Sequence, residues 1–310
     1  MNTSQSTSRI LMIRPVNFGF NEQTAESNAF QNRDAQSESA NRQAQKEFDG
    51  MVNTLRANGV DVTVVDDTME PHTPDSIFPN NWVSFHSDGQ VFLYPMQAEN
   101  RRLERREDTI NGLEDNFTVK HIIDLSRFEE ENKFLEGTGS MVLDRENKIA
   151  YACISPRTDR EVLHVFCQQA GYAPVTFDAV DENGQAIYHT NVLMCVGSRF
   201  AVICLESIPN PHEKLVVKES LLSTKKEIVD ISFDQMNRFA GNMLEVKNMA
   251  QETLIVMSKN AYEALLEEQK NVLKKYGKLV YADINTIETI GGGSARCMMA
   301  EVHLPVVSRP

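Results

Sequence analysis

One thiol, one imidazole and one carboxylate stand in short motifs that suit nucleophilic catalysis. Cys297 follows the run Gly291-Gly292-Gly293-Ser294-Ala295-Arg296, His189 lies in Tyr188-His189-Thr190-Asn191, and Glu136 lies in Leu135-Glu136-Gly137-Thr138-Gly139. A thiol attacks carbon as its thiolate, and a neighbouring imidazolium or arginine favours that form; His189 and Arg296 are the candidates. The imidazole can then pass a proton to a leaving nitrogen and take one from water. A carboxylate on its other ring nitrogen fixes tautomer and orientation. The glycine run allows the backbone to approach a substrate closely.

Taken singly, each residue has a plainer reading: a lone cysteine near a C-terminus is usually inert and buried, and a lone histidine is usually structural. Cys195 and Cys204 alternate with apolar neighbours and Cys167 lies beside Phe166, so these three read as core. The remaining histidines, at 72, 86, 121, 164, 212 and 303, lack metal-ligand spacing, and no phosphate-binding glycine motif occurs. No metal and no cofactor are implied.

The elements that must position the three groups form an internal repeat of strand, strand, helix, strand. Trp82 to His86 and Gln90 to Tyr94 read as a hairpin across Ser87-Asp88-Gly89, followed by a helical stretch from Glu99 and the strand Val119 to Leu125. Ser140 to Asp144 and Lys148 to Ile154 repeat the hairpin. Their helix opens at a capping box, Thr158-Asp159-Arg160-Glu161, and ends near Gly171 before the strand Pro174 to Phe177. A third copy pairs Asn191 to Val196 with Phe200 to Leu205 and continues into a helix over Leu215 to Ile228. A fourth pairs Met243 to Lys247 with Thr253 to Met257, then a helix with its apolar stripe from Tyr262 to Tyr276 and the strand Lys278 to Ala282.

The two ends complete a fifth copy: Arg9 to Arg14, a long helical stretch and Val60 to Val65 at one end, Cys297 to Val302 at the other. The residues opening each hairpin, Asn81, Ser140, Asn191, Asn242 and Cys297, are spaced by 59, 51, 51 and 55 positions. The expected fold is a single α/β domain over residues 1–310, a five-fold ββαβ propeller closed by pairing of the terminal strands, which would leave no open sheet edge there. In such a ring the five opening residues gather at one end of the central axis.

Composition reads as that of a soluble globular protein. The chain has 310 residues, 41% of them apolar, and 44 acidic against 31 basic residues give a net charge of −13. The basic run from Arg101 to Arg106 is interrupted by Glu104, so neither nucleic acid nor an anionic membrane is an expected partner. Met1 to Ser8 is polar, unlike a signal peptide, and no apolar run approaches the roughly 18 residues that span a bilayer. The cytoplasm is the default address. Five cysteines without close spacing read as free thiols. The assembly state, a homo-oligomer included, stays open.

The set of motifs, Asp75-x-x-Phe78-x-Asn80-Asn81, Glu136-Gly, His189-x-Asn191 and the glycine run before Arg296-Cys297-Met298, resembles the pentein superfamily of guanidino-modifying enzymes over nearly the whole chain. Met12-Ile13-Arg14-Pro15, Phe18-Gly19-Phe20-Asn21 and Pro74 to Trp82 resemble its amidinotransferase-related branch of citrulline utilization hydrolases. The resemblance implies Cys297 as nucleophile, His189 as general acid and base, and Glu136 as its acidic partner. It further implies that Asp75, Asn80 and Asn81 contact the substrate's head group, and that Arg157 and Arg101 hold an α-carboxylate, for which a guanidinium is chemically suited. Arg101 reads equally as the start of a solvated helix.

The chain departs from arginine deiminases at Asn81 and Asn191, where those enzymes carry aspartates. A guanidinium offers only donors, so carboxylates suit it, whereas an amide can donate to a ureido oxygen and accept from its NH2. Citrulline hydrolysis to ornithine, ammonia and carbon dioxide is therefore the favoured expectation. Arginine dihydrolysis, amidino transfer and a non-catalytic binding propeller are the alternatives, the last disfavoured by the presence of all three catalytic groups.

Overall fold

The structure is a computed structural model that describes residues 4–25, 27–36 and 39–307, so part of the polar Met1 to Ser8 run lies outside the described residues. Among the described residues there are fifteen strands, numbered along the chain. They are β1 (Arg9–Arg14), β2 (Asp61–Asp66), β3 (Val83–Phe85), β4 (Gln90–Leu93), β5 (His121–Asp124), β6 (Val142–Asp144), β7 (Ile149–Cys153) and β8 (Ala173–Phe177), then β9 (Met194–Val196), β10 (Phe200–Ile203), β11 (Glu227–Asp230), β12 (Leu244–Lys247), β13 (Thr253–Ser258), β14 (Lys278–Ala282) and β15 (Ala300–Glu301).

They form five three-stranded sheets, β15-β1-β2, β3-β4-β5, β6-β7-β8, β9-β10-β11 and β12-β13-β14. Each central strand pairs antiparallel on one side and parallel on the other. In the first sheet β15 fills the antiparallel place, so the last strand of the chain pairs with the first, Ile10 opposite Glu301.

The burial gradient explains the sequence pattern of each unit. First strands such as β3, β6 and β9 are buried throughout, central strands read as near-continuous apolar runs, and of the third strands β5 is largely exposed and β11 mostly half-buried. A parallel third strand needs a crossover, and helices supply it. The longest, Ala40–Ala57, buries Ala40, Ala44, Phe48, Met51, Val52 and Leu55 at helical spacing.

Several expected boundaries shift for local reasons. The helix of the second unit is capped by Asp159, whose side chain accepts from the amides of Glu161 and Val162, so Thr158 is not the cap. In the third unit Asn210 and Pro211 start the helix earlier than expected, and it ends at Ser223, leaving Glu227–Asp230 to pair as β11. The fourth unit's stripe splits into Lys259–Ala264 and Glu267–Lys274 at Leu265 and Leu266, both extended. The described residues among 15–36 are not part of a long helix but a flap with two short helical turns, Glu22–Ala25 and Arg33–Ala35. Asn81, Ser140 and Asn191 sit in single helical turns, Pro79–Asn81, Gly137–Ser140 and Thr190–Leu193, with their strands starting two or three residues later. Among the described residues no helix is long and apolar enough to cross a membrane.

Candidate active site

The turns that open the hairpins are stitched to one another by buried hydrogen bonds. Asn80 Nδ2 donates to Thr138 Oγ1 at 3.2 Å, Thr190 Oγ1 to the Ser140 carbonyl at 2.6 Å, and Asn242 Nδ2 to the Asn191 carbonyl at 2.8 Å. The Arg296 amide closes the series on Asn242 Oδ1 at 2.9 Å. Five segments far apart in sequence thereby hold their side chains in register.

Within this frame His189 Nε2 lies 2.8 Å from Glu136 Oε2, and Glu136 Oε1 accepts from the Gln97 amide at 3.0 Å. An ionised carboxylate only accepts, so Nε2 carries the ring hydrogen and Nδ1 keeps its lone pair. Burial alone would raise the Glu136 carboxyl, but Arg157, the His189 bond and Arg101 overcome it and hold the group below the usual carboxylate range. Burial pushes the His189 imidazole down to about 4 against the opposing pull of Glu136. The resting pair is thus a neutral imidazole on a carboxylate. Gly139 is required beside it: a Cβ there would lie 2.4 Å from Asn81 Nδ2 and 2.8 Å from His189 Nδ1.

Cys297 and His189 line one small cavity together with Asp75, Asn81, Arg101, Arg157, Tyr188 and the glycine run. Two side-chain amides face the sulfur, Asn191 Nδ2 at 3.3 Å and Asn242 Nδ2 at 3.4 Å. In the four other cysteines burial pushes the thiol up, Cys153, Cys167 and Cys195 to about 12 and Cys204 to about 11, as befits core thiols. The Arg296 guanidinium, one of the two expected activators, instead donates to Glu301 and to the Met299 carbonyl.

The two arginines expected at a carboxylate are both buried, so the solvated-helix reading of Arg101 does not hold. Arg101 gives Nε and Nη2 to Glu104 and Nη1 to Asn81 Oδ1, each at 2.9 Å. Glu104, raised by burial to about 7 against the pull of Arg101, is therefore part of the site's scaffold. Arg157 donates to Ser27 Oγ and the Thr24 carbonyl on the flap, and its Nη1 lies 3.5 Å from Glu136. The flap also reaches Asp75 through Asn21 Nδ2 at 2.7 Å and the glycine run through Asn28. A larger cavity of about 1070 Å³ shares Tyr188 with the site but contains neither Cys297 nor His189.

Residues 14–304 match the family model described as N,N dimethylarginine dimethylhydrolase, eukaryotic. The chain belongs to this family. It is thereby a member of the pentein superfamily of guanidino-modifying enzymes. Solved structures agree on the fold. The apo form of ArgZ, an arginine dihydrolase from cyanobacteria, is similar with a TM-score of 0.75 at 18% identity, over 96% of this chain and 41% of that one. The present chain thus spans well under half of that protein's length. The N-terminal domain of ArgZ, in a cysteine-to-serine variant bound to substrate, gives a TM-score of 0.74 at 17% identity, covering 96% of this chain and 99% of that one. A dimethylarginine dimethylaminohydrolase variant, as its adduct with S-methyl-L-thiocitrulline, gives 0.65 at 14% identity, covering 94% and 98%. No curated protein matches the chain.

For this pentein the structure brings Cys297, His189, Asp75, Asn81, Arg101 and Arg157 to one cavity, with Glu136 directly behind His189 and Asn191 against the sulfur. Asn80 is buried one residue away and faces Thr138. Asn242, Glu104 and the flap residues Asn21, Thr24, Ser27 and Asn28 were not expected as site components. Only Asn242 had a signal, its place in the repeat.

Proposed function

We propose that the chain is a cysteine hydrolase cleaving a C–N bond of a ureido or guanidino group, with citrulline as the substrate that fits best. The carrying observation is a set of buried side-chain atoms without a hydrogen-bond partner, Asp75 Oδ1, Asn80 Oδ1, Asn81 Nδ2 and Asn191 Oδ1. They amount to three acceptors and one donor. A citrulline ureido group presents three N–H donors and one carbonyl, the complementary set, whereas a guanidinium has no acceptor to meet Asn81 Nδ2. The orientation of Asn81 is dictated by Arg101, which must donate to its Oδ1 and so turns the amide nitrogen to the cavity.

In this reading the Cys297 thiolate attacks the ureido carbon and Asn81 Nδ2 supports the developing charge on its oxygen. His189, oriented by Glu136, takes the Cys297 thiol proton on Nδ1 as the sulfur attacks and delivers it to the departing amine as the C–N bond breaks, leaving a thiocarbamate on sulfur. Water, deprotonated by His189, then cleaves the C–S bond, and the carbamate released breaks down to carbon dioxide and the second amine. Arg157, whose flap partners a carboxylate can replace, receives the α-carboxylate; Arg101, its donors already engaged, adds its charge and holds Asn81. The five sheets form one domain, arranged as a closed five-fold propeller through the β1–β15 pairing. The similarity to an arginine dihydrolase favours a second reading, arginine as first substrate, for which Asp75 is the natural partner.

Acid quenching of the enzyme during turnover of citrulline, with mass spectrometry of the peptide bearing Cys297, tests the covalent route. A thiocarbamate adduct that disappears on hydroxylamine treatment is expected. Steady turnover with no adduct on Cys297 under any quench time contradicts it.

A further inference from the structure

We infer that Asn242 is a positioning residue for the nucleophile, forming with Asn191 a two-amide cradle for the Cys297 sulfur. This rests on the reading of Cys297 as the attacking group. Asn242 is 1% exposed, and each of its polar atoms has a defined task. Oδ1 accepts the Arg296 amide at 2.9 Å and, in the thiol form, the Cys297 S–H at 3.8 Å, while Nδ2 meets both the Asn191 carbonyl at 2.8 Å and Sγ at 3.4 Å. Asn191 Nδ2 approaches Sγ at 3.3 Å. One amide thus fixes the backbone just before the nucleophile, the neighbouring turn and the sulfur itself.

Hydrogen bonds to a charged form favour that form, and do so more strongly in a dry interior. The alternatives are already committed. The Arg296 guanidinium is bound to Glu301 and Met299, and His189 is neutral on Glu136. Other ionisable groups around the sulfur are Tyr188, Asp75, Arg101 and Arg157 on the cavity wall, with Glu136 behind His189. None of these, among the described residues, has a hydrogen bond to Sγ; the two amides do. The cradle also accounts for an amide rather than a carboxylate at 242, since a carboxylate there would oppose the thiolate.

The test is alkylation of Cys297 by iodoacetamide, located by mass spectrometry, in wild type, Asn242→Ala and Asn242→Asp. Asn242→Asp keeps the acceptor that the Arg296 amide needs, removes the donor and sets a negative charge against the thiolate, whereas Asn242→Ala removes the amide without adding charge. Since the thiolate is the form that reacts, both variants are expected to react about tenfold more slowly than wild type near pH 7 and to match it near pH 10. Their kcat should fall while KM stays within about twofold, as for an interaction made only in the chemical step. A rate ratio to wild type that is the same at both pH values overturns the proposal and leaves Asn242 a structural residue. Alkylation needs no substrate, so this outcome is independent of the ureido reading. Conversely, labelled Cys297 with turnover intact removes the covalent mechanism and not the cradle.

Discussion

The first strands of the units run between two buried polar clusters that are satisfied in opposite ways. Beyond their far ends, Glu301 accepts from Arg296 at 2.9 Å and lies 3.5 Å from Arg145 and 3.3 Å from His303. Lys226 meets Asp144 at 3.1 Å with both side chains fully buried, and Gln5 gives Nε2 to the carbonyls of Leu143 and Val196. At the near ends, four polar atoms around Cys297 and its neighbours have no partner. An unsatisfied buried polar group costs about 1–3 kcal/mol, so a cluster of them persists where a ligand completes the set. Elsewhere among the described residues such atoms belong to Gln90 in β4, Thr109 in the helix Glu107–Glu114 and Tyr172 in the link before β8. The far cluster is satisfied within the fold, and under the proposed function the near one is completed by substrate.

That contrast breaks most sharply at Cys297. Cys297→Ser should abolish turnover and leave the thermal midpoint unchanged, because a hydroxyl is a far poorer nucleophile than a thiolate while the two differ little in size. Measurable steady-state activity in this variant refutes the assignment of the near cluster. The reciprocal change is Lys226→Met, which leaves the Asp144 carboxylate buried without its ion-pair partner and should cost about 3–5 kcal/mol in denaturant unfolding. Its kcat/KM per folded molecule should equal that of wild type; a selective loss of activity would mean the two clusters are not separable.

Asn81→Asp sharpens the comparison within the near cluster. The carboxylate still accepts from Arg101 but cannot donate to a ureido oxygen, so citrulline turnover should fall by about 1–3 kcal/mol in kcat/KM while arginine binding improves. Asn191→Asp, by contrast, sets a carboxylate against the sulfur and should depress both substrates. Equal effects of the two changes on both substrates would dismiss the donor–acceptor argument. Arg157→Ala should raise KM for a substrate with a free α-carboxylate by about 1.5–3 kcal/mol, roughly 10- to 100-fold, and an unchanged KM returns Arg157 to the scaffold.

The smallest expected effect is on acid stability and involves one histidine from each cluster. Burial holds both His189 and His303 at about 4. The unfolded chain protonates them near the ordinary value of about 6.5, so it binds more protons than the native state between these limits. Their contribution to stability is full above about pH 6.5 and is lost as pH falls toward 4. The thermal midpoint should therefore drop between about pH 7 and pH 5, and a flat profile contradicts the neutral assignment of both rings.

The repeat made much of this architecture readable. Apolar runs, turn residues and the even spacing of hairpin openings located all five sheets, because a strand buried on both faces has little choice of residue type. Those openings also led to His189, Asn191 and Cys297. What could not be read depends on contacts between segments remote in sequence. The flap looks helical by composition, yet Asn21, Thr24 and Ser27 spend their polar groups on Asp75 and Arg157. Glu104 looks like one charge in a surface run until Arg101 is seen turned inward onto it. Asn242 was counted as a hairpin position, but nothing local tells that its amide ends on a sulfur 55 residues away.

Product analysis of wild type with citrulline and arginine supplied separately, with ornithine, citrulline and ammonia all quantified, tests the central claim most directly. The Asn81 donor and the Asp75 acceptor in the cavity, with Asn191 beside the sulfur, predict that citrulline is consumed with the higher kcat/KM, yielding ornithine and ammonia in equal amounts. Faster consumption of arginine, whether it stops at citrulline or proceeds to ornithine, contradicts it.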